Sequence, residues 1–442
     1  MATIALEPVA DGHDALTGLV SAAEARRRLS AWSAGGEEGA KDGAGRWQAM
    51  LIGLQRFQSV NHAYGQPAGD GALVEIAQRL RALAGEEIEG EWFAARLGGS
   101  DFLLAARGDV TRERWSFVAA TLAAAVARPL AAAGGHLRLA PRLALLRARA
   151  GEAATDALDT LSQALAEAQR QPGVRLVWAD GRRAPRGRSA AALEADLLAA
   201  LARDEIAVLF QPQFAFADGR LTGAEALARW EHPTLGRIGA ATLFAVAERA
   251  DQTLQLSQQI AARALAAAAG WPAERGLRLS LNLTAGDLAA GGFADTVRAA
   301  IAKARFAPER LTLEVTEQAL LVDLEGAAAA LRELAADGVR VALDDFGAGF
   351  ANFRYLKLLP LDYLKLDHSL TDDVVTQPRD RAILRAIVAM ARALELEVIA
   401  EGVESEDQRA LLAAEGCDYF QGYLRAKPMG ADAFAAFVLR LR

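Results

Sequence analysis

Seven apolar runs in the second half of the chain each end on one polar residue: LTGAE at Glu225, LRLSLN at Asn282, LTLE at Glu314, VALD at Asp344, YLK at Lys365, VIAE at Glu401 and YFQ at Gln421. An apolar run of this length reads as a buried strand. Strands that each deliver one polar group to a common rim are how a β/α barrel builds an active site, so this repeat constrains the fold more than any other feature. Four of the seven are carboxylates, and Asp345 follows Asp344 directly as a fifth. So many acids aimed at one rim repel each other unless cations sit among them, which points to metal chemistry.

The spacing agrees. Strand candidates lie at 206–213, 221–227, 277–283, 310–316, 339–344, 361–366, 396–400 and 417–422. Ala/Leu/Glu-rich helical segments at 240–268, 288–303, 324–337, 379–394 and 405–415 fall between most of them. That is the strand count and the size of an α/β fold of the (β/α)8 TIM-barrel kind. Only AFADGR, around an Asp-Gly turn, joins the first two strands. So short a connection makes a hairpin, so the first strand is expected to run antiparallel to its neighbour.

Upstream, GRRAPRGR at 181–188 carries four arginines and no apolar face, and reads as a solvated linker. It divides the 442 residues into a first domain at 1–180 and a barrel domain at 189–442. In the first domain, WQAMLIGL and FLLAAR read as strands, ALVEIAQRLRALAG and FVAATLAAAVARPL as helices, and RLGGSDFLL as a hairpin turning at Gly98-Gly99.

A net charge of −7 argues against nonspecific binding to a nucleic-acid polymer or an anionic membrane, while leaving room for a small nucleotide held by local cations. The longest apolar stretch, FVAATLAAAVA at 117–127, is too short to cross a bilayer. The opening MATIALEPVADGHD lacks the basic and apolar regions of a signal peptide. The single cysteine, Cys417, excludes an internal disulfide and suits a reducing compartment. The expectation is a soluble cytoplasmic protein, with Cys417 in the core.

GAEALARWEHP (223–233), LNLT around Asn282, LEVTE (313–317), DDFGAGF (344–350), YLKLD (363–367), AEGVE (400–404) and QGY (421–423), in that order, closely resemble the EAL-domain family over about 205–430. Enzymes of that family are phosphodiesterases that linearise cyclic di-GMP to pGpG. The resemblance implies two Mg2+ or Mn2+ ions per barrel, and hard oxygen donors suit either ion. By the same resemblance Glu225, Asn282, Glu314 and Asp344 hold one ion. Asp344 and Asp345 reach the second, with Glu401 near it. Glu225, Lys365 and Glu401 carry the catalysis: Lys365 orients the attacking water or stabilises developing charge, and Glu401 assists the water. Gln211 and Arg229 contact guanine or phosphate, and Gln421 helps hold the metal–water cluster and substrate. Glu317 supports the loop after its strand. A homodimer through the barrels is a family expectation. His232 reads as a turn residue, and Glu404 as a helix cap or loop partner.

The chain departs from the family pattern at Ala348 and at Phe350-Ala351-Asn352, where hydroxyl residues are common, and at Ala240, where proline is frequent. The first of these bear on coupling of the site to dimerisation more than on its chemistry.

The first domain carries DALTGL (14–19), FQSVNHAYGQPAGDGAL (57–73) and RLGGSDF (96–102), and resembles a GGDEF, or diguanylate cyclase, domain with a nucleotide-cyclase-like α/β sandwich. That resemblance implies a damaged site. Gly53 stands where a metal-binding Asp is expected, and Ser100 replaces an acid of the signature. Asp101 is one methylene shorter than the usual Glu. Gln169 replaces a phosphate-binding Lys, and Glu89 and Trp92 occupy the inhibitory product site. No cyclase activity is expected. Asn61 and Asp70 match guanine-reading positions, and Gly98 and Gly99 allow close backbone approach, so GTP binding without turnover is the sensor expectation. The alternative for the whole chain is a cyclic di-GMP receptor or scaffold that binds without cleaving.

Overall fold

The computed structural model describes residues 12–34, 47–55, 57–108, 110–130, 137–149, 152–171, 175–180, 190–321, 323–347, 353–372, 374–375 and 377–441. The 181–188 linker and positions Ala348 and Phe350–Asn352 lie outside them. The chain divides into two compact units. One runs up to Leu193 and includes His232–Thr242; the other comprises Glu194–Glu231 and Leu243–Arg442.

The first unit contains β1 (Val20–Ser21), α1 (Ala22–Ala34), β2 (Trp47–Gln55), α2 (Phe57–Tyr64), α3 (Gln66–Glu87), β3 (Trp92–Gly98), β4 (Asp101–Arg107), α4 (Arg112–Val126), β5 (Ala140–Arg147), α5 (Ala154–Arg170) and β6 (Leu176–Trp178). Its sheet has the order β1-β3-β4-β2-β5-β6, with the inner pairs antiparallel and the two outer pairs parallel. The β2 segment is apolar on both sides because both faces are covered. Trp47, Ala49 and Leu51 pack with Leu29 and Trp32 of α1 and Leu161 of α5, while Met50 and Ile52, on the opposite face, are fully buried. The expected hairpin between β3 and β4 forms, but it turns at Gly99-Ser100, one residue later than expected, because Gly98 still pairs with Asp101; φ is positive at Gly98 and Gly99.

From Ala190 the chain forms α6 (Ala190–Arg203), β7 (Ile206–Ala215), β8 (Leu221–His232), β9 (Gly236–Ile238), α7 (Ala240–Arg249), α8 (Thr253–Ala269), β10 (Arg278–Leu283), α9 (Ala285–Ala289), α10 (Phe293–Ala304), β11 (Leu311–Thr316), α11 (Leu324–Ala336) and β12 (Arg340–Phe346). It continues through α12 (Phe353–Leu358), β13 (Tyr363–Leu366), α13 (His368–Asp372), α14 (Pro378–Ala393), β14 (Glu397–Ala400), α15 (Glu406–Glu415), β15 (Tyr419–Phe420), β16 (Met429–Gly430) and α16 (Ala431–Arg440). Strands β7, β8 and β10 to β15 close into a barrel of eight. Strand β7 is antiparallel to both its neighbours, β8 and β15, and the other adjacent barrel strands are parallel. The hairpin expectation therefore holds.

Two expected helices are split. The 240–268 segment breaks at Asp251, whose φ is +56°, and the 288–303 segment breaks at Gly292, with φ +74°. Alanine-rich flanks conceal both breaks, because alanine favours helix on either side of them. Helix starts follow local chemistry. Thr284 with Asp287, and Ser405 with Gln408, form capping boxes, and Asp323 caps α11. The cap before α15 is thus Ser405, while Glu404 only donates its N–H to Gln408.

Along β11, Leu311, Leu313 and Val315 join the core between strands and helices, whereas the alternate Thr312 and Glu314 face the interior. Below the polar rim, Ala342, Tyr363 and Ile399 fill the interior together with Tyr419. The Arg278 guanidinium lies 5.0 Å from the Tyr363 ring centre and 4.5 Å from that of Tyr419, and it donates to the Tyr363 hydroxyl. The Tyr419 hydroxyl donates to Glu397 at 3.0 Å. This floor closes the barrel from below. No helix among the described residues is long and apolar enough to cross a membrane.

Candidate metal centre

Six polar side chains at barrel strand ends, Glu225, Asn282, Glu314, Asp344, Lys365 and Glu401, meet around the Lys365 ammonium, and Gln421 joins them from just past β15. Lys365 has no solvent exposure, and neither does Glu314. Its Nζ lies 2.5 Å from Glu314 Oε2, 2.8 Å from Glu401 Oε1, 3.0 Å from Asp344 Oδ1 and 3.4 Å from Glu225 Oε2. Asn282 donates to Glu225 Oε1 at 2.7 Å. Gln421 donates to Glu225 Oε2 at 2.7 Å and to Glu401 Oε1 at 3.0 Å.

The hydrogen bonds sort the acids. Burial pushes the Glu225 carboxyl up, but Lys365, Gln421 and Asn282 outweigh it and leave Glu225 below the usual carboxylate range. Among the described residues Glu314 has one donor, Lys365, and its Oε1 is buried with no hydrogen-bond partner. Burial, then repulsion from Glu225, drive Glu314 well above the usual range. Burial also raises Asp344, and it pushes Glu401 up to about 8 against the pull of Lys365. Burial of the Lys365 ammonium opposes its charge, yet the surrounding carboxylates hold its pKa well above the usual lysine value.

Consecutive strand residues normally face opposite sides. Asp345 escapes this rule: its φ is +56°, the pairing of β12 with β13 shifts register between Leu343 and Phe346, and its N–H donates to Asp344 Oδ1 at 2.9 Å. The left-handed turn, which Asp tolerates better than most residues, brings both carboxylates to one rim. Asp345 is open to solvent, yet its carboxyl is pushed up to about 6, by surrounding protein first and then by Asp344 and the buried Asp367.

Oxygen atoms of Glu225, Glu314 and Asp344 fall within 4.8 Å of one another, as do those of Asp344, Asp345 and Glu401. Asp344 is common to the two sets. The donors are hard oxygens, and the partnerless Glu314 Oε1 lies buried in the first set, so these residues fit a divalent cation such as Mg2+ or Mn2+.

The other expected residues are placed differently. Gln211 pairs across the strand with Glu225, but its amide donates to the Ala426 carbonyl at 2.8 Å. Arg229, on the same strand face as Glu225 but about 13 Å further along, bonds its own neighbour's carbonyl, Ala228, and does not reach the cluster. Glu317 lies half-buried in the turn after β11. His232 Nδ1 accepts the N–H groups of Thr234 and Leu235, so it is a turn residue. Cys417 is buried in the core, and that burial pushes its thiol up to about 12.

Sequence reading missed the supports. Gln213, buried two residues after Gln211, donates to Gln421 Oε1 at 3.1 Å. The alternation FQPQF carries that signal, since residues two apart share a strand face. Thr371, fully buried on α13, donates to the backbone carbonyl of Glu401 at 2.6 Å, and nothing in its local sequence announces that contact. Gly402, with φ +67°, turns the chain straight after Glu401. At Gly422 a Cβ would stand 2.1 Å from the Val403 carbonyl, so the loops bearing Glu401 and Gln421 interlock only with glycine there.

In the first unit, a Cβ at Gly53 would lie 2.5 Å from Gln169 Nε2, 3.1 Å from Leu165 Cδ2 and 3.2 Å from Asp101 Oδ1. The Gln169 amide thus occupies the space a longer residue at 53 would need. Burial raises the Asp101 carboxyl. Asn61 is exposed and Asp70 half-buried. Among the described residues, both sets of three converging acids lie in the barrel.

Comparison with known proteins agrees with this architecture. Residues 194–428 match the EAL domain family, and residues 12–175 match the family described as diguanylate cyclase, GGDEF domain. An uncharacterized signaling protein of Caulobacter vibrioides is 36% identical over 434 residues, 95% of this chain and 51% of that protein. The bifunctional diguanylate cyclase/cyclic di-GMP phosphodiesterase MucR of Pseudomonas aeruginosa is 31% identical over 400 residues, 89% of this chain and 57% of that one. The chain thus spans about half the length of these curated relatives. The solved structure of PaMucR phosphodiesterase in its c-di-GMP complex shares 35% identity, with 55% of this chain and 99% of that one covered and a TM-score of 0.52. The chain belongs to the EAL-domain family, its EAL barrel following a GGDEF domain.

Proposed function

We propose that the barrel is a phosphodiesterase that opens one phosphodiester bond of cyclic di-GMP to give linear pGpG, using two divalent cations. The observation that carries this reading is the pair of acid sets sharing Asp344. Five carboxylates against one ammonium leave four formal negative charges, which two divalent cations would balance. Glu225, Asn282, Glu314 and Asp344 would hold one ion, and Asp344, Asp345 and Glu401 the other. When bound, such ions neutralise the phosphodiester and make water a competent nucleophile near neutral pH.

The chain's own groups do the rest. Lys365 keeps four carboxylates at fixed spacing and places a positive charge beside the developing phosphorane. Glu401 Oε1 is engaged by Lys365 and Gln421, which leaves Oε2 to take the proton of the attacking water. The bond from water oxygen to phosphorus forms as the bond to the ribose 3′ oxygen breaks; Glu401 takes the water's proton, and the departing ribose oxygen takes one from solvent. Gln211 and Arg229 would meet the substrate beyond the cluster.

In the same reading the first domain makes no cyclic di-GMP, because Gly53 and Ser100 offer no carboxylate to a metal where the resemblance calls for acids. GTP is then its regulator, read by Asn61 and Asp70 and approached through Gly98 and Gly99. The exposed Leu321 and Phe353, at 73% and 67%, are apolar surface that a homodimer would cover.

The test is incubation with cyclic di-GMP and Mg2+ or Mn2+, followed by chromatography. Appearance of pGpG supports the reading; tight binding with intact substrate replaces it with the receptor. Titration of GTP during turnover tests the regulator, and an unchanged rate would end that part.

A further inference from the structure

We infer that Gln213 is a positioning residue that sets which way round the Gln421 amide sits, and through it the arrangement of Glu225 and Glu401. The inference rests on the phosphodiesterase reading above.

The two ends of a glutamine amide are nearly equal in size but opposite in chemistry, one donating and the other accepting. Gln421 must present its NH2 end to the cluster, because that end lies 2.7 Å from Glu225 Oε2 and 3.0 Å from Glu401 Oε1. Reversal would set a carbonyl oxygen against two carboxylate oxygens and would remove one of the donors to Glu225 Oε2.

Gln213 binds the other end of that amide. Its Nε2 lies 3.1 Å from Gln421 Oε1, and a reversed Gln421 would bring two NH2 groups face to face. Gln213 is held for this task. It is only 3% exposed, its backbone carbonyl accepts the Thr222 hydroxyl at 3.1 Å, and it sits at the antiparallel seam where β7 meets β15. The seam pairs Tyr419 with Ala215 and Phe420 with Phe214, and the next step sets Gln421 opposite Gln213. On its other side Gln213 faces Gly223, which brings no side chain to compete for the amide. The result is a relay from Gln213 to Gln421 to both carboxylates, in which Gln213, Gln421 and Glu225 are buried and a misplaced amide is costly.

The experiment compares three replacements of similar length: Gln213→Lys keeps a donor, Gln213→Met has neither donor nor acceptor, and Gln213→Glu offers only acceptors. With cyclic di-GMP as substrate, Gln213→Met is expected to lower kcat about 10-fold with KM within about twofold, and Gln213→Glu to lower it about 100-fold, while Gln213→Lys stays within about threefold of the parent. A role in packing alone would favour Met over the charged residues, so the order Lys, Met, Glu is specific to donation. A Met variant as fast as the parent, or a Glu variant no slower than Lys, overturns the inference. If the parent leaves cyclic di-GMP intact, it is the phosphodiesterase reading that fails. The inference is then read from Mn2+ binding by calorimetry, where Gln213→Met is expected to bind about 10-fold more weakly and an unchanged affinity overturns it.

Discussion

Replacing Glu401 by Gln should make the metal-free protein more stable at high pH while destroying its proposed activity. The Glu401 carboxyl is raised from 4.5 to about 8 by burial and by neighbouring acids, and its side chain is 19% exposed. An acid raised on folding keeps a proton that the unfolded chain releases, so its contribution is absent below pH 4.5 and turns increasingly destabilising up to about pH 8. At about 1.4 kcal/mol per pKa unit, a rise of about 3.5 units amounts to roughly 5 kcal/mol above pH 8. Gln removes that cost but gives up a charged acceptor for Lys365 and Gln421, worth about 1.5–3 kcal/mol. A net gain of about 2–3 kcal/mol remains, or roughly 5–10 °C for a domain of this size. Scanning calorimetry in chelator at pH 9 and pH 5 reads it: the variant should melt higher at pH 9 and match the parent at pH 5. Saturating Mn2+ should close most of that gap, since a cation at 100 times its Kd stabilises the parent by about 2.7 kcal/mol and the variant would lack one of the proposed ligands. A variant less stable at pH 9, or equally favoured at both pH values, would refute the electrostatic account.

Lys365→Met should act in the opposite direction. It strands four buried carboxylates and should cost the metal-free protein about 3–5 kcal/mol in denaturant titration. Thr371→Val, which keeps shape and removes the hydroxyl donated to the Glu401 carbonyl, should lower kcat several-fold with KM little changed, and Thr371→Ser should restore it. Gly53→Asp should not create cyclase activity on GTP, because it restores one acid while Ser100 still offers none; GTP turnover by that single variant would refute this.

Much of the candidate centre was legible in the chain because the barrel repeats one local rule. An apolar strand with a single polar terminus, repeated at regular spacing, can be read one segment at a time, and Glu225, Asn282, Glu314, Asp344, Lys365 and Glu401 were each found that way. The hairpin before β8 was legible for the same reason, since an Asp-Gly turn leaves no room for a crossover. The helix breaks at Asp251 and Gly292 were not, because their alanine-rich flanks outweigh one residue in any local reading.

What the sequence determined by itself is the inventory: which acids, amides and cation the strands carry, and that the first domain lacks Asp at 53 and Lys at 169. What only the tertiary structure decided is how those groups differ from one another. Glu225 and Glu314 occupy equivalent strand ends and burial pushes both upward, yet the donors around Glu225 outweigh burial and leave it below the usual carboxylate range, while Glu314 stays well above it. Asp345 joins Asp344 on one rim only through a left-handed backbone, and Gln213 reaches Gln421 only where the barrel closes on itself. Hydrogen bonding and desolvation depend on neighbours brought together by closure of the ring, and neighbours more than 200 residues apart along the chain leave no local trace.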